Sequence, residues 1–90
     1  MASSFLNSVR SACRLRNFSL KTEKTYLYWI RRYIVFNDMR HPEECGDLEV
    51  IAFLSYLAES KKVSVNTQKI ALNALVFLYR HVIKLSLIHI

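Results

Sequence analysis

The residues of this chain whose types and spacing could do chemistry are cations and aromatics crowded onto one helical segment, Tyr28-Trp-Ile-Arg-Arg-Tyr-Ile-Val-Phe36, followed by Arg40-His-Pro42. At about 100° per residue, a helix through this segment gathers Lys21, Lys24, Tyr28, Arg31 and Arg32 on roughly one third of its surface. Thr22, Tyr26, Trp29, Ile30, Tyr33 and Asn37 fall on the opposite face. No acid lies on the basic face, whereas an ordinary solvated face mixes signs. The chemistry on offer is phosphate contact: cations on a straight helix displace counterions from a nucleic-acid backbone and sit across or within a groove. Lys21, Lys24, Arg31 and Arg32 are the expected phosphate contacts, with Thr25 and Tyr28 placed for sugar or base-edge contacts.

A second group opens a later helix. Lys61, Lys62, Ser64, Asn66, Thr67, Gln68 and Lys69 bring cations, hydroxyls and amides to a helix start. Such ends bind phosphate through free N–H groups, and Asn or Gln additionally reads adenine edges. Capping explains one of Ser64 and Asn66, but not the two lysines. Further along, Asn73 and Arg80 share an arc of about 60° with Asn66, Lys69 and Lys84. The contact of Lys69 rests on charge alone. The remaining aromatics, Trp29, Tyr33, Phe36, Phe53, Tyr56, Phe77 and Tyr79, read as core.

Reaction chemistry is not indicated. The sequence holds no P-loop, no Gly-rich loop and no paired-carboxylate pattern, so the chain is not expected to act as an enzyme by itself. Cys13 and Cys45 have no metal-ligand spacing between them or with His41, His81 and His89, so they read as reduced thiols, structural or incidental. No cofactor or metal is expected. Thirteen Lys and Arg against seven Asp and Glu give a net charge of +6, which favours polyanions. No apolar run approaches the about 18 to 20 residues of a spanning helix, and Met1-Ala-Ser-Ser4 is unlike a secretory signal; a cytoplasmic, non-membrane protein is the expectation.

These side chains need few, long elements to position them. Ninety residues suit one domain, and one Gly with one Pro leave little turn punctuation, so an all-α bundle with short connections follows. The spacing predicts helices over about 4–16, 20–37, 47–60 and from 64 or 66 to about 84. Ser19 is the expected cap of the second, Asp47 of the third, and Ser64 or Asn66 of the fourth. Arg16-Asn-Phe-Ser19 reads as a polar joint. The fourth helix is apolar around most of its circumference and so belongs at the centre, with Ala71, Ala74, Leu75, Leu78 and Val82 inward. The expected domain is 1–84, with 85–90 a linker fragment or foreign tail.

The series Thr22-Glu-Lys-Thr-Tyr26, Trp29-Ile30, Arg32-Tyr-Ile34, Arg40-His-Pro42, Phe53-Leu-Ser55, Thr67-Gln68, Ala71-Leu-Asn-Ala-Leu75 and Phe77-Leu-Tyr79 resembles the N-terminal core-binding domain of integron integrases, a branch of the tyrosine recombinases. The resemblance covers about residues 4 to 84. It implies a compact four-helix orthogonal bundle of the SAM-like type, which clamps DNA recombination sites, duplex or folded single strand, together with a separate catalytic domain. It also implies that the second and fourth helices face the DNA, and that the catalytic Arg, Lys, His and nucleophilic Tyr lie in that other domain. The rival expectation is an assembly module, self-associating through the amphipathic first helix within a recombination synapse.

Overall fold

The structure, a computed structural model, describes residues 2–83. Its elements are α1 (Ala2–Leu15), α2 (Leu20–Phe36), a 3-10 turn (Pro42–Glu44), α3 (Asp47–Glu59), α4 (Val65–Phe77) and a π turn (Leu78–Val82) continuing α4. The all-α, four-helix expectation holds. The end of the predicted fourth helix at Lys84, and the segment 85–90, lie outside the described residues.

With so little glycine, the chain closes its helices on left-handed residues of other kinds. Asn17 (φ 58°) ends α1, with Phe18 N–H donating to Cys13 O at 3.1 Å and Asn17 N–H to Arg14 O at 3.0 Å. The same pair of bonds ends α2, from Met39 N–H to Ile34 O (2.9 Å) and Asp38 N–H to Val35 O (3.0 Å), with Asp38 left-handed. This is the Schellman closure, which satisfies the last carbonyls and favours an apolar residue just beyond. Phe18 is that residue after α1. It packs on Tyr26 and Phe77 with ring centroids 5.6 and 5.3 Å away, so the joint expected to be polar carries a core anchor.

The helix starts follow the capping logic, with one correction. Ser19 accepts the Thr22 N–H at 3.1 Å, and Ser64 accepts the Thr67 N–H at the same distance. At α3 the cap is Gly46 rather than Asp47, which is the first helical residue. Glu49 reaches back, its Oε1 accepting the Gly46 N–H at 2.7 Å, and this bond holds the Glu49 carboxyl below its ordinary pKa. A carboxylate depressed on folding contributes stability above its unfolded pKa of about 4.5 and loses it as pH falls through the folded value. Glu49→Gln is therefore expected to lower stability at pH 7, with the difference from wild type shrinking as the pH drops below about 4 in urea melts.

The core forms where α4 meets α2 and α3 while the π turn packs on α1. Val9, Ile30, Val50, Leu57, Ala71, Ala74, Leu75 and Leu78 are fully buried, and the small Ala71 and Ala74 let neighbouring helices approach the central one. The π turn, marked by Ile83 N–H donating to Leu78 O at 2.9 Å, changes the register of the last turn. Tyr79 is buried, as expected, whereas Val82, expected inward, is only half-buried. The Tyr79 hydroxyl donates to Pro42 O at 2.8 Å and accepts from the Tyr33 hydroxyl at 2.8 Å, tying the 3-10 turn to α2 and α4. Burial pushes Tyr79 up to about 12 and Tyr33 higher still. Tyr79→Phe leaves the Pro42 carbonyl and the Tyr33 hydroxyl without their partner and is expected to cost about 1 to 3 kcal/mol, read from urea denaturation.

Candidate nucleic-acid interface

The outward third of α2 is built as its spacing requires. Burial of Leu27, Trp29, Ile30, Tyr33 and Ile34 fixes the helix's rotation, so Lys21, Lys24 and Arg31 are exposed and Tyr28 keeps 51% of its surface in solvent. Arg32 is half-buried and preorganised. Its Nη1 donates to the Tyr28 hydroxyl at 2.9 Å, and its guanidinium carbon lies 5.6 and 5.5 Å from the ring centres of Tyr28 and Trp29. A planar cation held against two aromatic faces loses less freedom on gripping a phosphate. Tyr28 is thereby partly engaged, serving as the acceptor for Arg32. Thr25 is half-buried and donates its hydroxyl to Lys21 O at 3.0 Å, so its expected sugar or base-edge role has a local competitor.

Two open grooves border this face. One, of about 440 Å³, runs between α1 and α2 and is lined by Arg10, Leu20, Glu23, Lys24, Leu27, Tyr28, Arg31 and Arg32. It brings in a cation the sequence reading missed, Arg10, whose position became readable only once α1 was docked on α2. It also brings in an acid. Glu23 is 5% exposed at the back of the groove, and Arg14 Nε lies 3.4 Å from its Oε1. With Arg14 largely in solvent the pair is weak as a stabiliser, yet it offsets the one negative charge beside the cationic face.

The second groove, of about 250 Å³, is lined by Arg31, Arg32, Val35, Phe36, Phe53 and Tyr56. Phe36 and Tyr56 pack with ring centres 5.1 Å apart, and Lys61 Nζ lies 6.0 Å from the centre of the Tyr56 ring. These aromatic residues thus lie between the arginines of α2 and Lys61, one residue of the second group singled out in sequence. Lys62 adopts a left-handed conformation (φ 51°) in the connection and is exposed.

Along α4 the expected residues divide. Asn66, Lys69 and Asn73 are exposed. Thr67 and Gln68 are half-buried and spent locally: the Thr67 hydroxyl bonds Ser64 Oγ at 2.9 Å, and Gln68 Nε2 donates to Val63 O at 3.2 Å. Arg80 is exposed, but it sits in the π turn beside His81, so the regular-helix arc linking it to Asn66, Lys69 and Asn73 does not continue through this turn. Among the described residues no group of three or more His, Cys, Asp or Glu could hold a metal ion, and no helix is long and apolar enough to cross a membrane. Cys13 and Cys45 are both buried, and burial raises both thiol pKa values.

Fold and surface together define a small helical domain that displays cations from α2 and from the α3–α4 connection around an aromatic floor. The chain belongs to the phage integrase N-terminal SAM-like domain family, whose sequence pattern it matches over residues 5–88. It is 46% identical over 78 residues, 87% of its length, to an integrase/recombinase of Escherichia coli, and equally to one of Pseudomonas aeruginosa. It spans 23% of the length of each of these curated relatives. The resemblance to tyrosine recombinases is thus borne out at the level of this family.

Proposed function

We propose that this chain is the DNA-binding N-terminal domain of a site-specific tyrosine recombinase of the integron integrase kind. It clamps DNA recombination sites, double-stranded or folded single-stranded, while strand exchange is performed by a separate catalytic domain. The observation that carries this reading is the preorganised cationic face of α2, with Arg32 held on Tyr28 and Trp29 and continued across Tyr56 to Lys61. Lys21, Lys24, Arg31, Arg32, Lys61 and Lys62 bind phosphates. Asn66 and Asn73 are the amides left exposed to reach sugars or bases. Within the full-length protein the domain works in the cytoplasm and extends over about residues 1–84.

Leu15 and Leu20, 81% and 62% exposed on either side of the α1–α2 joint, favour a second role in contact with another protomer. Electrophoretic titration of the chain on a duplex, run beside sedimentation of the free chain, tests the pair. The DNA-binding reading expects retarded duplex at protein concentrations where the chain is monomeric. Self-association without duplex retention would hand the surface to the assembly reading.

A further inference from the structure

Three basic groups meet where the π turn packs on the end of α1. Arg16 leaves the α1–α2 joint and donates from Nη2 to His81 Nδ1. Arg80 stands next to His81 in the π turn, and the charges acting on His81 are those of Arg16 and Arg80. Both arginines are exposed, and the ion pairs among the described residues, Arg14 with Glu23 and His41 with Glu43, involve neither of them. The imidazole itself is held in place. Its ring lies 5.4 Å from that of Phe77, which rests in turn on Phe18 and Tyr26 at 5.3 and 5.5 Å. Tyr26 is about 200° around α2 from Tyr28, so this cluster lies on the other side of that helix from the cationic face.

One guanidinium bonded to the half-buried imidazole and a second beside it in the chain place like charges close together, and an anion relieves that repulsion. The wide turn packs on α1 and brings His81 within reach of Arg16 at the α1–α2 joint, with Arg80 next to it in the chain. Insertions of this kind recur at functional sites. We propose that Arg16, Arg80 and His81 form a second phosphate-binding locus, apart from the α2 face, that takes a phosphate group of a nucleic-acid strand with His81 as a protonated donor. The anion chemistry stands on these three side chains; the choice of a nucleic-acid strand rests on the DNA-binding reading above.

In the free chain His81 accepts from Arg16, which requires a neutral Nδ1, and burial together with Arg16 and Arg80 holds its pKa below the ordinary value. A bound phosphate neutralises the two arginines, and the ring gains an acceptor for a second N–H. Binding therefore raises the His81 pKa, takes up a proton, and strengthens as pH falls through the range of that residue.

Histidine ring resonances of the 90-residue chain, followed by NMR between about pH 5 and 8, test the proposal in three states: free, with sodium sulfate, and with duplex DNA. Sulfate serves as a phosphate-like anion that does not itself titrate in that range. The expected result is a rise of about one pH unit in the His81 midpoint with either ligand, absent in Arg80→Gln. A duplex that binds without moving His81 overturns the strand assignment and leaves the α2 reading intact. Sulfate that moves His81 where the duplex fails to bind keeps the anion locus and removes the DNA-binding reading. A rise that survives Arg80→Gln reduces the effect to the general field of the ligand and overturns the locus, as does a His81 midpoint unmoved by both ligands.

Discussion

Arg31→Glu combined with Arg32→Glu is expected to lower the affinity of the chain for duplex DNA by on the order of a hundredfold, about 2.7 kcal/mol. On the proposed DNA-binding reading, each substitution removes a charge-assisted phosphate contact and puts a like charge against the backbone, and two lost contacts flatten the log-log salt slope by about 2. The effect is concentrated here because Arg32 is already fixed by the Tyr28 hydroxyl and the two rings beneath it, and because both arginines line both grooves. Arg32→Lys separates geometry from charge. A lysine keeps the cation but not the planar fork, so it should recover only part of the affinity. Unchanged DNA retention in the double reversal, with altered self-association, would transfer this surface to protomer assembly. Titration of fluorescent duplex, with sedimentation alongside, reads both quantities.

Phe53→Ala carries the largest expected effect on stability, about 3 to 5 kcal/mol. Phe53 is 1% exposed, and its ring lies 5.6 Å from that of Tyr33 and 5.3 Å from that of Phe36, joining α3 to α2 beneath the arginines. Truncation leaves a cavity among aromatic rings that cannot all close in on it. Set against the about 5 to 15 kcal/mol that holds a domain together, such a loss removes a large share of the stability of a chain this size. Phe53→Leu, which retains most of the volume, should cost far less and preserve DNA binding. Urea denaturation of the two variants checks the ranking. A loss below about 1 kcal/mol for the alanine variant would mean that the α2–α3 seam is not where the core is held.

How far the sequence could be read follows from which forces act locally. The rotation of α2 was legible because Trp29, Ile30 and Tyr33 repeat at helical spacing and burial enforces that spacing, leaving Lys21, Lys24, Tyr28 and Arg31 no side but the solvent. Ser19 and Ser64 were legible because a cap bond spans only three residues. Features that depend on tertiary packing were not. Phe18 looked like part of a polar joint, since the left-handed Asn17 that turns it towards Tyr26 and Phe77 has no periodic signature. Arg10 and Glu23 entered the interface only when α1 was laid beside α2. The π turn was invisible to a wheel drawn at constant angle, which kept Arg80 aligned with Lys69 and directed Val82 inward. Gly46 displaced Asp47 as the cap because Glu49, three residues on, bonds the Gly46 N–H from within the helix and needs no side chain at the cap itself.

The central claim is that the outward face of α2 binds a nucleic-acid backbone through its cations. It is tested most directly by measuring the affinity of the unmodified chain for duplex DNA across a salt series. Four phosphate contacts, from Lys21, Lys24, Arg31 and Arg32, predict a log-log slope of about −3 to −4. Affinity that does not change with salt would contradict the claim, whatever its absolute value.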